Sequence, residues 1–245
     1  DRERIMEITA LYIFLLALGA SFVQRTTGFG FGIFIMTILP FLMPSYGEAT
    51  ALSGLLALTT SSIIAFRLRK NVTWSRLLPI LMTFIIISAA AICFLTRIHD
   101  NTLRKILGIV LILTGLYFAF FNKKIRIGTT VPWQVGAGTL SGIMGGFFGM
   151  QGPPAVLYFI SSEPTKECYM AMTQMYFCIG NAMMTIVRAC NGFVTADVGK
   201  GYVIGLGGLA LGLLLGEWTF KRIPGKIFPY LVYSYIGISG AFIFF

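Results

Sequence analysis

The sequence predicts an all-α integral membrane protein made of two pseudo-symmetric, inverted halves. Three observations carry this prediction: an apolar composition, two glycine-rich interruptions, and a spacing that repeats along the chain. Of 245 residues, 56% are hydrophobic and 11% are charged, and the mean hydropathy is +0.82. Soluble domains carry roughly 25% charged residues, so a soluble fold would have too little polar surface to cover its core. The lipid bilayer is therefore the expected solvent.

The rest of the composition excludes other classes of protein. Four cysteines, one histidine and no repeated Cys/His spacing argue against a disulfide scaffold or a zinc module. The formal net charge is +10, but the basic residues form short clusters between apolar runs, which is typical of membrane topology. We expect no metal, no cofactor and no nucleic-acid partner. The expected partners are a small anionic substrate and the lipid bilayer, and a coupling ion and a homo-oligomer remain open.

Apolar runs follow one another along the whole chain, and a helix that crosses a bilayer needs roughly 20 such residues. The predicted membrane segments are 6–24, 28–43, 49–66, 77–95, 103–121, 135–149, 153–161, 169–187, 198–216 and 227–245. Three of them, 28–43, 135–149 and 153–161, are short and interrupted by glycine or proline. These three indicate half-helices or re-entrant hairpins rather than full spans.

The two interruptions are chemically alike. The first is Gly-Phe-Gly-Phe-Gly at 28–32, and the second is Gly-Met-Gln-Gly-Pro-Pro at 149–154. Glycine lets the backbone turn tightly and approach a ligand, and proline suits the first turn of a new helix. Because each interruption lies beside a segment too short to cross alone, we predict functional turns at both. Other glycines at four-residue spacing are predicted to serve close helix packing: Gly138, Gly142, Gly146, Gly208, Gly212 and Gly216.

One offset superimposes the two halves of the chain. Gly28 and Gly149 are 121 residues apart (149 minus 28), and Arg67 and Arg188 are separated by the same 121 residues (188 minus 67). The same shift carries the apolar run 77–95 onto 198–216. The shared spacing of glycines, arginines and apolar runs indicates an internal duplication.

The duplication divides the chain into a first membrane repeat at 1–121, a basic linker loop at 122–133 and a second membrane repeat at 134–245. The two segments beside each interruption either form a re-entrant hairpin or both cross the membrane. Each repeat then has about three spanning helices in the first case and about five crossings in the second. Either odd count inverts the second repeat relative to the first, whereas an even count would make the repeats parallel.

The positive-inside tendency gives an orientation. If each repeat crosses the membrane an odd number of times, four connections lie on the same side of the membrane. That side carries the larger number of basic residues, and its connections are 67–76, 122–131, 162–168 and 217–226. We expect that side to be cytoplasmic.

The stretch Gly138-Thr-Leu-Ser-Gly-Ile-Met-Gly-Gly-Phe-Phe-Gly149, followed by Gln151-Gly152-Pro153, resembles the duplicated glycine-rich signature of the sulfite exporter TauE/SafE family. The first copy, from Gly28–Gly32 to Leu39-Pro40-Phe41-Leu42, is similar. The resemblance covers nearly the whole chain and implies a membrane transporter of sulfur-containing anions such as sulfite or sulfonates. Family members often carry a run of glycines where this chain has Met150-Gln151, and Arg25-Thr26-Thr27 precedes the first copy. These departures leave the substrate open.

The two interruptions are the predicted substrate site. A half-helix that begins inside the membrane points free N–H groups and roughly half a positive charge inward, and an anion satisfies both. Side-chain donors would add to these groups. The predicted substrate-binding residues are Arg25, Thr26, Thr27, Gly28, Gly30, Gly32, Gly149, Gln151, Gly152, Gln174 and Asn181.

Arg25 has two interpretations. An arginine in hydrocarbon costs at least about 2.5–3.5 kcal/mol, so it normally faces protein or water. Its fork of donors matches a sulfonate or a carboxylate, which favours a binding role. Alternatively, the first helix ends here and Arg25 extends to the lipid headgroups.

A polar face runs along the segment 169–187 and comprises Gln174, Cys178, Asn181, Thr185 and Arg188. The steps of four and three residues keep these side chains on one side of a helix. This face either lines a substrate pathway or makes hydrogen bonds to other helices. Arg67 and Arg188 lie at segment ends and are predicted to be interfacial anchors, although either could instead attract anions to a vestibule.

The predicted function is secondary transport of a small sulfur-containing or organic anion by alternating access, in a multi-pass protein of the bacterial inner membrane. The alternative is an anion channel or uniporter of the same anatomy. A membrane enzyme is a weaker rival, because the chain shows no catalytic constellation, and so is a partner-binding scaffold. Carboxylates are sparse in the spans, so the energy coupling and the direction of transport remain open.

Overall fold

The structure is a computed structural model that describes residues 2–121, 128–224, 226 and 227. Within these ranges every regular element is helical. Residues 122–127 of the predicted linker and 228–245 of the last predicted segment lie outside the described residues.

Ten α-helices follow one another in the described part of the chain. They are α1 (Arg2–Thr27), α2 (Phe31–Met36), α3 (Leu39–Leu42), α4 (Tyr46–Leu68), α5 (Trp74–Leu95), α6 (Asp100–Phe121), α7 (Val131–Phe148), α8 (Gly152–Ser162), α9 (Lys166–Cys190) and α10 (Ala196–Arg222). A 3₁₀ turn, Arg69–Asn71, joins α4 to α5.

Four helical stretches of the described chain are long and apolar enough to cross a membrane: Glu7–Thr27, Tyr46–Asn71, Trp74–Leu95 and Ala196–Arg222. Together with the composition, they make this a multi-pass membrane protein.

Short polar residues determine where several helices begin. The Ser45 side chain accepts from the Glu48 N–H while Glu48 accepts from the Ser45 N–H, which is a capping box. Thr165 and Thr195 cap α9 and α10 in the same way through their hydroxyls. Because of these caps, the helices begin two or three residues before the apolar runs that predicted them.

Glycine rows bring two pairs of helices into backbone contact. A Cβ added at Gly208 or Gly212 would contact carbonyl oxygens of α1, and one at Gly138 would lie 2.7 Å from the Ile80 carbonyl of α5. The close-packing role predicted for these rows is therefore confirmed. In both pairs the contacts advance along the two helices together, so α10 runs parallel to α1 and α7 runs parallel to α5.

Side-chain contacts define two ends of the bundle. At one end, Arg76 donates to the Ser162 carbonyl at 3.2 Å, and Lys166 donates to the Ile223 carbonyl at 2.8 Å; we call this the Arg76 end. At the other, the Tyr46 N–H donates to Asp100 at 2.8 Å; we call this the Asp100 end. Helices α4 and α9 run antiparallel between these ends and form the centre of the bundle.

Candidate functional site

The two interruptions meet in the centre of the bundle. Gly28 and Gly30, between α1 and α2, have φ of +90° and +93°, and Gly149, after α7, has φ of +67°. These left-handed conformations favour glycine. A Cβ added at Gly32 would collide with the carbonyl oxygen of Gly149. The closeness of the two chain breaks therefore depends on the missing side chain at position 32.

A small cavity of about 20 Å³ lies at this junction. Its walls come from both interruptions and from the middle of α4 and α9: Gln24, Gly30, Phe31, Gly32, Ile33, Ala57, Gly149, Met150, Gln151, Gly152, Phe177 and Asn181. A single water needs roughly 10–15 Å³ on this measure, so the cavity has room for one water. We call this feature the central cavity.

Six predicted site residues line the central cavity, and five do not. The lining six are Gly30, Gly32, Gly149, Gln151, Gly152 and Asn181. The remaining five, Arg25, Thr26, Thr27, Gly28 and Gln174, lie behind or beside it.

A chain of amides holds the first interruption in place. Gln174 donates from Nε2 to the Gly28 carbonyl at 2.7 Å, and Gln24 donates from Nε2 to Oε1 of Gln174 at 2.8 Å. The Tyr169 hydroxyl donates to the Thr27 carbonyl at 3.0 Å. Gln174 therefore positions the turn, and Gln24, which lines the central cavity, is hydrogen-bonded to Gln174.

Gln24 was absent from the predicted site. Ser21, Gln24 and Gly28 follow the same three-and-four spacing that marks the polar face of α9. The same rule applied to the first apolar run would have found Gln24.

The second interruption is held by hydroxyls. Ser141 donates from Oγ to the Gln151 carbonyl, and the Tyr176 hydroxyl donates to Ser141 at 2.8 Å. The side-chain oxygens of Gln151 and Gln24 are both buried without a partner among the described residues. The central cavity is therefore bordered by amide groups with unused hydrogen-bonding capacity.

Two of the three polar residues before the first interruption, Thr27 and Arg25, are engaged elsewhere, whereas the Thr26 hydroxyl is buried without a partner among the described residues. The Thr27 hydroxyl lies within hydrogen-bonding distance of the carbonyls of Val23 and Phe29, at 2.9 and 3.0 Å, and can donate its proton to either. Arg25 is 6% exposed and forms an ion pair with Glu217, whose Oε2 lies 2.5 Å from Nη2. Its guanidinium also stacks on Phe220, 4.2 Å from the ring centroid.

Arg25 and Glu217 border a second cavity of about 310 Å³ towards the Arg76 end. Arg67 also lines it, 3.8 Å from Glu217, but its side chain is 65% exposed. The other walls are apolar and come from α4 and α10: Ile63, Ile64, Leu68, Ala210, Leu213 and Leu214.

The prediction for Arg188 as an interfacial anchor is wrong. Arg188 is 0% exposed, and its Nη2 donates to the carbonyls of Gly145 and Gly146 at 3.0 and 3.3 Å. Helix α9 turns this side chain towards α4 and the end of α7, where Gly54 leaves room for it. The spacing from Asn181 predicted the correct face of α9. The position near the end of an apolar run, however, suggested a side chain at the membrane surface, whereas Arg188 is buried in the protein.

Comparison with known proteins identifies the family of the chain. The sequence model of the sulfite exporter TauE/SafE family matches residues 13–243. The chain belongs to this family. A curated relative, the probable sulfite/organosulfonate exporter TauE of Cupriavidus necator, is 23% identical over 221 residues, which are 88% of this chain and 84% of the relative. No solved structure matches the chain.

The family membership confirms the resemblance seen in the glycine-rich signature. The protein is a member of a family of membrane exporters, which agrees with the expectation of a transporter rather than an enzyme. In the residues that the structure describes, no group of His, Cys, Asp or Glu could hold a metal ion.

Proposed function

We propose that this TauE/SafE protein is a secondary transporter that moves a small sulfur-containing anion, such as sulfite or an organosulfonate, across the bacterial inner membrane by alternating access. The central cavity is the observation that carries the proposal. It lies where two interruptions from opposite halves of the sequence touch, and amide side chains border it. The name of the Cupriavidus necator relative supports the substrate class.

The repeat supports inverted halves. The first residues of α2 and α8, Phe31 and Gly152, are 121 residues apart (152 minus 31), which is the offset of the two interruptions. At this offset α1 corresponds to α7 and α10 to α5, and α4 corresponds to α9, because Tyr46 shifts to 167 (46 plus 121) and α9 begins at Lys166. The equivalent helices α4 and α9 run antiparallel, as inverted repeats require. Two inverted repeats built around broken helices would place a substrate site where their tips meet.

The two tips would contribute differently to anion binding. The first backbone bond of α2 runs from the Phe34 N–H to the Gly30 carbonyl at 2.9 Å, so the N–H groups of Phe31, Gly32 and Ile33 have no acceptor within the helix. In α8, Pro153 and Pro154 carry no N–H. The tip of α2 therefore supplies backbone donors, and Gln151 and Asn181 would supply amide N–H groups from other directions, whereas the amide nitrogen of Gln24 already donates to Gln174.

The size of the central cavity favours a carrier over an open channel. Sulfite has four heavy atoms and needs more space than one water, so binding requires the tips to separate. Such a movement between closed and open arrangements is what alternating access demands. A channel of the same anatomy would instead need a continuous wide path.

The test is transport by the purified protein in vesicles. Radiolabelled sulfite should be taken up with saturation, and both Gln151→Ala and Asn181→Ala should reduce uptake at least about tenfold, because each removes an amide from the cavity wall. Gln134→Ala is the matched control, because Gln134 is a buried amide bonded to the Tyr158 hydroxyl away from the cavity.

Two outcomes would contradict the proposal. Large single-channel currents would favour the channel, and equal uptake by all three variants would remove the central cavity from the substrate path. Uptake with and without an imposed pH gradient would identify or exclude proton coupling.

A further inference from the structure

Arg188 is a buried cation that has no carboxylate partner among the side chains that the structure describes. Of its three guanidinium nitrogens, Nη2 is bonded to carbonyls, while Nε and Nη1 have no hydrogen-bond partner among the described residues. None of the ion pairs in the described chain involves Arg188. A buried charge is normally paired, because leaving it unpaired is costly.

Two other buried polar atoms near the end of α7 and the middle of α4 and α9 are unused. The hydroxyl oxygens of Ser53 and Thr185 are buried and have no partner in the described structure. A Cβ added at Gly54 would lie 3.2 Å from Nη1 of Arg188 and 3.7 Å from the Thr185 oxygen. The absent side chain at Gly54 therefore leaves a narrow space beside Nη1 and the Thr185 hydroxyl, in which even a methyl group would be tight.

This space adjoins the central cavity. Gly54 precedes the cavity residue Ala57 by three positions, which is about 4.5 Å along a helix axis. The Ser53 oxygen lies 3.9 Å from the position that a Cβ of Gly149 would occupy, and Gly149 lines the cavity. The cluster lies on the Asp100 side of the cavity, whereas Arg25 lies on the Arg76 side.

We propose that Arg188, Ser53 and Thr185 form a binding site for the charged oxygens of the transported anion, on the Asp100 side of the central cavity. This inference rests on the proposed function and assigns the substrate's countercharge to Arg188. Arg25 is less suited to that role, because it is already paired with Glu217. Arg188 is held in place by the Gly145 and Gly146 carbonyls through Nη2, and its Nε and Nη1 are unused.

The geometry favours an anion with several oxygens. The unused Nη1 can donate to one oxygen of an anion, and the hydroxyls of Ser53 and Thr185 are further donors for other oxygens of the same group. Sulfite and a sulfonate each carry three oxygens on one sulfur. A halide offers a single centre for these donors, so chloride should compete weakly.

Binding of sulfite to the purified full chain, measured by calorimetry in detergent, tests the inference. Arg188→Gln should weaken binding at least about tenfold, because a charged hydrogen-bond donor is lost. Arg188→Lys should bind with intermediate affinity, because it keeps the charge and loses the fork. Arg97→Gln is the matched control, because Arg97 is an exposed arginine that follows α5; it should bind like the wild type.

Gly54→Ala keeps the charge and blocks the space. Alanine favours a helix over glycine, so this variant should fold even if Arg188→Gln does not. Its methyl group would lie against Nη1, and sulfite affinity should fall several-fold while the melting temperature without ligand is unchanged or higher. Wild-type affinity in Gly54→Ala, or in folded Arg188→Gln, would overturn the inference.

The same measurements separate this inference from the proposed function. If the wild type binds sulfite and Gln151→Ala weakens binding while the Arg188 and Gly54 variants do not, only the Arg188 site is overturned. If the wild type binds and transports no sulfur-containing anion, the proposed function falls and this site falls with it.

Discussion

The two interruptions are equivalent in the repeat but are built differently. The first has two glycines in the left-handed region, Gly28 and Gly30, and is followed by the short helix α2. The second has one, Gly149, and is followed by the eleven-residue helix α8, in which two prolines follow the first residue, Gly152. The first turn of α2 therefore keeps all its backbone N–H groups, whereas two residues in the first turn of α8 have none.

The supports of the two breaks differ as well. Side chains of α9 reach across to the backbone of the first, through Gln174 and Tyr169. The second is held by Ser141 of its own preceding helix, α7, backed by Tyr176 of α9. The first break therefore depends on the second half of the chain, whereas the second break depends on its own half. This asymmetry can be tested by substitutions.

The contact between the breaks should be the most sensitive point. Gly32→Ala places a methyl group on the carbonyl of Gly149, and neither backbone can yield without moving a helix. We expect a loss of about 3 kcal/mol in the free energy of unfolding, the upper part of the usual range for overpacking, and loss of transport. Gly136→Ala is the control, because a Cβ there meets no atom within 4 Å. Equal melting temperatures for the two variants in detergent would contradict this contact.

Removal of the amide support should affect only the first break. Gln174→Leu leaves the Gly28 carbonyl and the Gln24 amide without their partners, and should cost about 2 kcal/mol of unfolding free energy. Because the first break borders the cavity, sulfite affinity should fall too. Thermal unfolding and sulfite titration of the same sample would check both effects. A variant that loses stability but binds sulfite normally would show that Gln174 does not position the site.

Alanine at the left-handed glycines should distinguish the breaks directly. Gly149→Ala should cost about 1 kcal/mol for the unfavourable φ, because the nearest atoms to its Cβ are 3.9 Å away. Gly28→Ala carries the same strain and in addition places its Cβ 2.7 Å from the Tyr169 ring, so we expect a larger loss. Comparison of the two melting temperatures is the measurement. A larger loss at Gly149 would reverse the comparison drawn here.

The smallest effect should come from the proline-rich helix start. Pro154→Ala adds one N–H to the first turn of α8 and makes this break more like the first. We expect sulfite to bind about threefold more tightly, because the variant adds one backbone N–H donor at the positive end of the helix. Stability should decrease by about 0.5 kcal/mol, because the unfolded chain becomes more flexible. Unchanged affinity would indicate that the α8 tip does not face the anion.

The sequence was sufficient to predict the helical membrane class and the family, and α1 and α7 end at the glycines that the sequence singled out. These features depend on local properties: the length of apolar runs, and glycines or prolines that interrupt them. Asn181 and Gln151 line the central cavity, as expected of polar side chains in apolar runs, which must turn inward; their role in substrate binding stays a prediction.

Other features depend on contacts that no local pattern specifies. Spacing shows the face of a helix but not the depth of a side chain or its neighbours. Arg25 and Glu217 are separated by 192 residues in the chain, so their pairing was not visible, and the predicted binding role of Arg25 did not take it into account. Arg188 was assigned to the membrane surface because the apolar run ends nearby. Its burial follows from Gly54 on another helix, which leaves the space that the guanidinium uses.

The narrowness of the junction bears on proton movement. Protons cross membranes along chains of hydrogen-bonded water molecules, and a chain needs several molecules in a row. With room for one water between the tips, the central cavity by itself is too small to hold such a chain in this arrangement.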